Sequence, residues 1–264
     1  MTNKKFFITY GTREFKLQKK QLIQLVNQTG CFDFTVSYSL NDIEKDFINK
    51  HKEIFNQKKG GGFWIWKSKI INQQLKKINE GDIVVYLDSG SSFNPDGTKR
   101  LNEYFKILRN SNHGILQFQM PHIEEDYTIK EIFDYFDCRN DETITKTGQL
   151  WGGLIFIKKT KETMDYFNEY EKLLEYDHNL ITDVYSNNQI KTFVSNRHDQ
   201  SIFSVMSKTR GVEIIRDESY FAKNPNLQYN YPFLAVRRKK ISNKQKLIEE
   251  ILYFTKKTKP VYFK

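Results

Sequence analysis

The chain has 264 residues, 38% of them hydrophobic and 15% aromatic, with 42 Lys and Arg against 32 Asp and Glu for a formal net charge of +10. That apolar share supplies a core and excludes intrinsic disorder. No run approaches the roughly 20 apolar residues of a membrane-spanning helix, and the start, MTNKKFFITYGTREF, has no long hydrophobic leader, so a soluble, cytoplasmic protein is expected. Cys31 and Cys138 are too few for a disulfide framework or a four-thiolate zinc site.

The charge is unevenly placed. Residues 237–264 hold ten Lys and Arg against Glu249 and Glu250, which is +8 of the total, and residues 1–236 carry the remaining +2. Residues 122–142 run the other way, with eight carboxylates (Glu124, Glu125, Asp126, Glu131, Asp134, Asp137, Asp141 and Glu142) against Lys130 and Arg139. Such a stretch makes the body a poor surface for tracking phosphates, so no specific nucleic-acid partner is expected.

Strand-like and helix-like segments alternate in the pattern of an α/β fold. Residues 5–10 form a short apolar strand that stops at Gly11. Leu17, Leu22, Leu25 and Val26 recur at helical spacing up to Gly30. A strand follows at 32–38. Asn41 with Glu44 three residues on predicts a helix start for a segment reaching Phe55. Ile70, Ile71, Leu75 and Ile78 line one side of a helix over 68–79. The next segment, Asp82-Ile-Val-Val-Tyr-Leu-Asp88, has five successive apolar residues between acids, the pattern of a central strand covered on both faces.

Further along, 97–109 reads as helix, 114–119 as extended, and 128–136 as helix capped by Thr128. A strand at 152–157 precedes a helix over 161–174. Residues 175–198 have no period and read as a long functional loop. A helix opens on Asp199 and runs to 207, a short strand spans 212–215, and Ser242 with Gln245 has capping-box spacing for a final helix. Residues 1–236 are therefore read as one domain in two halves, 1–110 and 111–236, and 237–264 as a basic, amphipathic helical arm.

Three places concentrate chemistry. Asp88 ends the most hydrophobic strand and is followed by Ser89-Gly90-Ser91-Ser92. In open α/β sheets ligands bind beyond the carboxyl ends of strands, and an Asp there can hold Mn²⁺ or Mg²⁺ against a diphosphate; a turn or helix-cap Asp is the equally weighted alternative. Residues 59–68, Lys-Gly-Gly-Gly-Phe-Trp-Ile-Trp-Lys-Ser, hold two of the three tryptophans and three glycines. The glycines give backbone freedom beside a ligand, one Trp is expected in the core and the other near the site, and Lys67 opening a helix can meet phosphate. Residues 196–201, Asn-Arg-His-Asp-Gln-Ser, exceed what a helix cap needs. There His198 is a candidate metal or phosphate ligand, Arg197 a phosphate partner, and Asp199 a base or an orienting group for an acceptor hydroxyl.

These three blocks, in this order, resemble a family of nucleotide-sugar glycosyltransferases of the GT-A fold found in large DNA viruses and bacterial surface-polysaccharide clusters. The resemblance rests on Gly60-x-Gly62-Phe63-Trp64-x-Trp66-Lys67, on Gly81 to Gly90, and on Arg197-His198-Asp199-Gln200-Ser201-Ile202-Phe203-Ser204. Tyr10-Gly11-Thr12, Glu124-x-x-Tyr127-Thr128-x-Lys130 and Thr147-Gly148-Gln149 are also similar, so that it spans about residues 5–220. It implies a Rossmann-like donor-binding half in a central mixed sheet. Tyr10, Gly11, Thr12, Trp66, Lys67, Asp88, Ser89 and Gly90 would lie at the donor, and Gln149, His198 and Gln200 at sugar and acceptor. Asp88 would be the first acid of the family's metal motif; Gly90 stands in place of the second, which implies weaker metal affinity, a ligand such as His198 completing the site, or cationic side chains in place of the ion. Lys59 and Ser68 replace the Arg and Pro often seen around the tryptophans.

The function so implied is transfer from a nucleotide diphosphate sugar, UDP-linked by resemblance, to a hydroxyl of a glycan or glycoprotein. Asp199 is the first candidate base and Glu124 the second. A dehalogenase-like phosphatase using Asp88 lacks its second acid at Gly90, and neither a Gly-x-Gly-x-x-Gly fingerprint nor a P-loop occurs. A non-catalytic binder of sugar nucleotides or polyanions is the alternative from another class. The basic arm is either a solvated face or a contact for an anionic membrane or carrier.

Overall fold

The structure is a computed structural model and describes residues 3–218 and 230–235; the arm at 237–264, with the helix expected from Ser242, lies outside them. In chain order the elements are β1 (Lys5–Tyr10), α1 (Lys16–Asn27), β2 (Phe34–Tyr38), α2 (Lys45–Lys50), α3 (Lys52–Phe55), a tight turn α4 (Gly60–Phe63), α5 (Trp66–Lys77) and β3 (Ile83–Leu87). Then come β4 (Ser92–Phe93), α6 (Thr98–Asn110), β5 (Ile115–Ile123), α7 (Glu124–Tyr127), α8 (Lys130–Tyr135), α9 (Glu142–Thr145), β6 (Gly148–Leu150) and β7 (Leu154–Lys158). The last are α10 (Lys161–Tyr176), α11 (Asp199–Arg210), β8 (Glu213–Arg216) and β9 (Phe233–Leu234).

A mixed seven-stranded sheet runs β2-β1-β3-β7-β5-β6, with β8 joining β5. β1 is parallel to β2 and to β3, whereas β7 is antiparallel to both β3 and β5. Alternation along β3 explains its unbroken apolar run. Val84 and Tyr86 pack with α5, α10 and α11 on one face, and Ile83, Val85 and Leu87 pack with α1 and α6 on the other. At about 25 cal/mol per Å² of apolar area, such two-sided burial makes β3 the hardest strand to perturb.

Two local expectations are corrected. Residues 41–55 do not form one helix. Ser39 and Asp42 cap a single 3-10 turn, and the chain breaks at His51 (φ −110°, ψ 30°) between α2 and α3. Thr128 does not cap α8: its hydroxyl donates to Glu124 at 2.7 Å, while the Lys130 N–H at the helix start donates to Gln189 Oε1 at 2.8 Å.

Five of the eight carboxylates in the acidic run at 122–142, Glu124 among them, are engaged within the fold. Glu125 pairs with Lys146, Asp134 with Arg139, and Asp141 caps α9, while Glu131 accepts from Ser186 and Gln189. Through Glu131 the long 175–198 segment is tied down, although its only regular piece is a 3-10 turn at His178–Ile181. Asn196 adds a second tether, donating to the Leu180 and Thr182 carbonyls at 3.2 and 2.9 Å.

Candidate active site

The sheet reverses its winding between β1 and β3, and the segments leaving their carboxyl ends meet there. Thr9 Oγ1 donates to the Leu87 carbonyl at 2.7 Å, and a Cβ on Gly11 would lie 3.2 Å from Ser89 Oγ. Gly11 thus lies against Ser89, where the chain leaves β3. From the other side, antiparallel β7 brings Gly152 and Gly153, and the Asp88 N–H donates to the Gly153 carbonyl at 2.9 Å.

Lys67 reaches this place through an unusual turn. Gly60, Gly61, Gly62, Phe63 and Trp64 all have left-handed φ, 59°, 61°, 97°, 50° and 61°. A Cβ on Gly60 would meet the Trp64 ring at 2.4 Å, and one on Gly62 would meet the Ile54 carbonyl at 3.0 Å, so the glycines are sterically required. Trp66 pins the turn: its indole donates to the Gly60 carbonyl at 2.9 Å and stacks on Tyr10 at 3.8 Å. Tyr10 and Trp66, expected at the donor, are therefore enclosed, at 2% and 5% exposure, and support the crevice from behind. Trp64 stays half-buried and tilts against His198.

The Lys67 side chain is 3% exposed and its ammonium is the hub of the site. It lies 2.5 Å from Asp199 Oδ2 and 3.3 Å from Asp88 Oδ1, and donates to the Gly152 carbonyl at 2.9 Å. Burial alone would lower its pKa, but the carboxylates of Asp199 and Asp88 outweigh that and hold it above the ordinary lysine value. Tyr86 donates its hydroxyl to Asp88 Oδ1, and the Asp88 side chain remains one-third exposed. Asp199, at the start of α11, is enclosed; burial first, and then Asp88, push its carboxyl up to about 6 against the pull of Lys67.

The other predicted residues are placed differently. Gln200 lies at the crevice wall, accepting from the Gly152 N–H at 3.2 Å and donating to Gln149 Oε1 at 2.5 Å. Gln149 has no exposed surface, and its amide donates to Glu124 at 3.1 Å. Glu124 is equally enclosed, accepts from Thr128, Gln149 and Ser204, and pairs with Lys208 at 2.8 Å. Its oxygens are engaged and shut off from solvent, so its geometry is that of a positioning group instead of an open base. Glu124→Gln keeps the shape but leaves Lys208, 4% exposed, without its anion. The variant should unfold about 3–5 kcal/mol more easily in a denaturant titration.

His198 is held by Asp183. Its Nε2 faces Asp183 at 3.0 Å, Asp183 pairs with Lys59 at 2.8 Å, and the ring stacks on Phe63 at 5.2 Å. Burial, then Lys59, lower its pKa against Asp183, favouring the neutral ring. Among the described residues no group of three or more His, Cys, Asp or Glu side chains is arranged to hold a metal. The pairing of Asp88 with His198 as Mn²⁺ or Mg²⁺ ligands therefore does not fit the donor set, because the ring nitrogen is committed to Asp183 and Asp88 faces Lys67.

One residue at the site escaped sequence reasoning. Trp151 lies against Gly153, directly beside Asp88, and the available signal was a tryptophan followed by two glycines at the start of a buried strand.

Neither a protein-family model nor a curated protein matches the sequence. Among solved structures, a glycosyltransferase involved in glycosylation of the major capsid of the virus PBCV-1 is similar with a TM-score of 0.51 at 13% identity, over 89% of this chain and 96% of that one. Mouse xyloside xylosyltransferase 1 follows with a TM-score of 0.47 at 8% identity, over 91% and 99% of the two chains. For the glycosyltransferase GlyE of Streptococcus pneumoniae the TM-score is 0.45 at 15% identity, over 82% of this chain and 46% of that one. The chain has the α/β fold of the PBCV-1 glycosyltransferase.

Proposed function

We propose that the protein transfers a sugar from a nucleoside diphosphate donor to an acceptor hydroxyl on a glycan or glycoprotein. The observation that carries this reading is the buried Lys67 ammonium held between Asp88 and Asp199 at the carboxyl ends of β1 and β3, in a fold shared with a glycosyltransferase. The nucleoside diphosphate occupies the crevice between Gly11, Thr12 and Ser89, and UDP is the first nucleotide to try. The sugar lies beside the exposed third of the Asp88 side chain. Positive charge develops on the sugar as its bond to the diphosphate breaks. Asp88, fixed by Tyr86 and Lys67, presents its open side to that charge, and preorganised groups of this kind carry much of a catalytic effect. Asp199, with its carboxyl at about 6, is ionised at neutral pH; its Oδ2 is closed off against Lys67, and Oδ1 is the atom that would accept a proton from the acceptor hydroxyl.

The test is nucleotide release from UDP-, GDP- and dTDP-sugars. Asp88→Ala and Asp199→Ala should each reduce release at least 100-fold, on the scale of losing one preorganised electrostatic group, while circular dichroism shows the fold retained. Full turnover by both variants would defeat the reading.

A further inference from the structure

Glu124 has no exposed surface, yet hydrogen bonds that all run one way link it to the Lys67 hub. Lys67 Nζ donates to the Gly152 carbonyl at 2.9 Å, and the Gly152 N–H donates to Gln200 Oε1 at 3.2 Å. Gln200 Nε2 donates to Gln149 Oε1 at 2.5 Å, and Gln149 Nε2 donates to Glu124 Oε1 at 3.1 Å. A side-chain amide can present either its oxygen or its nitrogen, so its neighbours decide which way it faces. Beside Gln149 Nε2 stand the Glu124 carboxylate and, at 3.3 Å, the Tyr127 carbonyl, which only accept. Arg197, which only donates, meets Gln149 Oε1 at 3.5 Å. A reversed Gln149 would set oxygen against oxygen at Glu124 and force Gln200 to reverse as well, with its nitrogen against the Gly152 N–H.

The direction matters at Gly152. A Cβ there would lie 2.9 Å from Gln200 Cβ and 3.0 Å from its Cα, so the closeness of α11 imposes glycine. Glycine leaves the local backbone free, and what holds its N–H also aims the carbonyl that meets Lys67. At the far end Thr128, Ser204 and Lys208 all donate to Glu124 and keep its carboxylate in place. We infer that Glu124 is a positioning residue: its carboxylate fixes Gln149, Gln149 fixes Gln200, and Gln200 fixes the Gly152 backbone on which the Lys67 ammonium rests. For turnover the inference rests on the glycosyl-transfer reading; for the place of Lys67 it does not.

Two changes break this relay without stranding a charge. Gln149→Met removes the amide and leaves the pair of Glu124 with Lys208 intact, whereas Glu124→Leu combined with Lys208→Met replaces that pair by apolar side chains of similar size. Well below the unfolding temperature, each is expected to lower kcat for nucleotide release from UDP-, GDP- or dTDP-sugars about 10–100-fold, with KM for the nucleotide sugar within about twofold of wild type. Joined in one protein, the two changes should lose no more than either alone, because both cut the same relay. In protein labelled with ¹⁵N-lysine, the Lys67 Nζ resonance, assigned by its disappearance in Lys67→Met, should move in both variants although neither alters a residue that touches Lys67. A Lys67 resonance unmoved in either variant, losses that multiply when joined, or an unchanged kcat in either variant overturns the inference while leaving glycosyl transfer standing. A resonance that moves in both variants of a protein that releases nucleotide from no donor leaves the positioning of Lys67 standing and overturns glycosyl transfer.

Discussion

Lys67→Met is expected to be inactive and markedly less stable, and the two losses should be separable. The substitution leaves Asp199 enclosed at 4% exposure without its cation and frees Asp88 from one of its supports. Removing one partner of a buried ion pair costs about 3–5 kcal/mol, and at about 2–4 °C per kcal/mol for a domain of this size the melting temperature should fall by roughly 10 °C. Turnover should drop about 10²–10³-fold, because the carboxylates lose their fixed orientation toward the sugar. Adding Asp199→Asn removes the stranded charge. The double variant should regain several degrees of melting temperature and no activity, since stability follows charge balance whereas turnover needs the arrangement of all three groups. A double variant as active as wild type would show that the Lys67 hub is structural only.

Asp199 gives the second large effect, as opposite slopes of activity and stability with pH. Its carboxyl, at about 6, lies above the ordinary 3.8, so between those values the folded protein holds the proton that the unfolded chain has released. This group's contribution to stability is therefore complete below about pH 4 and is lost as pH rises through about 6. Turnover that needs the ionised carboxylate runs the other way, rising about tenfold per pH unit toward 6 and levelling above it. In thermal unfolding from pH 4 to 8, wild type should lose stability relative to Asp199→Asn across the same interval in which it gains activity. Parallel slopes, or a wild-type activity flat through pH 5–7, would remove Asp199 from the chemistry. On the proposed reading, the protonation state that supports transfer is the one that stabilises the fold less.

The strands that carry the candidate site were legible in the sequence, and the long-range contacts around it were not, for one shared reason. β1 and β3 announce themselves because continuous apolar runs bounded by Gly11 and Asp88 allow few other outcomes, and Asp88 follows from its place at a strand end. The glycine run at 60–62 was read as backbone freedom beside a ligand, and the structure shows Trp64 and Ile54 packed where side chains would be. Lys67 was read as opening a helix and meeting phosphate; its burial depends on Asp199 and Gly152, which arrive from distant segments. The same blindness to long-range partners made Glu124 a candidate base when Lys208, on the far side of the chain, closes it off. Trp151 went unremarked because an aromatic residue before a strand is usually core, and its nearness to Asp88 exists only once β7 pairs with β3.

The left-handed passage at 60–64 ties the site to distant parts of the chain. Phe63 and Trp64 hold a backbone handedness that costs an L-residue roughly 1–2 kcal/mol each, and no isolated segment would keep it. The bond from Trp66 to Gly60, the stack on Tyr10 and the contact of Trp64 with His198 all require strands and helices from other parts of the chain to be in place. The turn that aims Lys67 inward is therefore held by long-range contacts, and a variant that loosens Tyr10, Trp66 or His198 is expected to disturb the Lys67 hub as well.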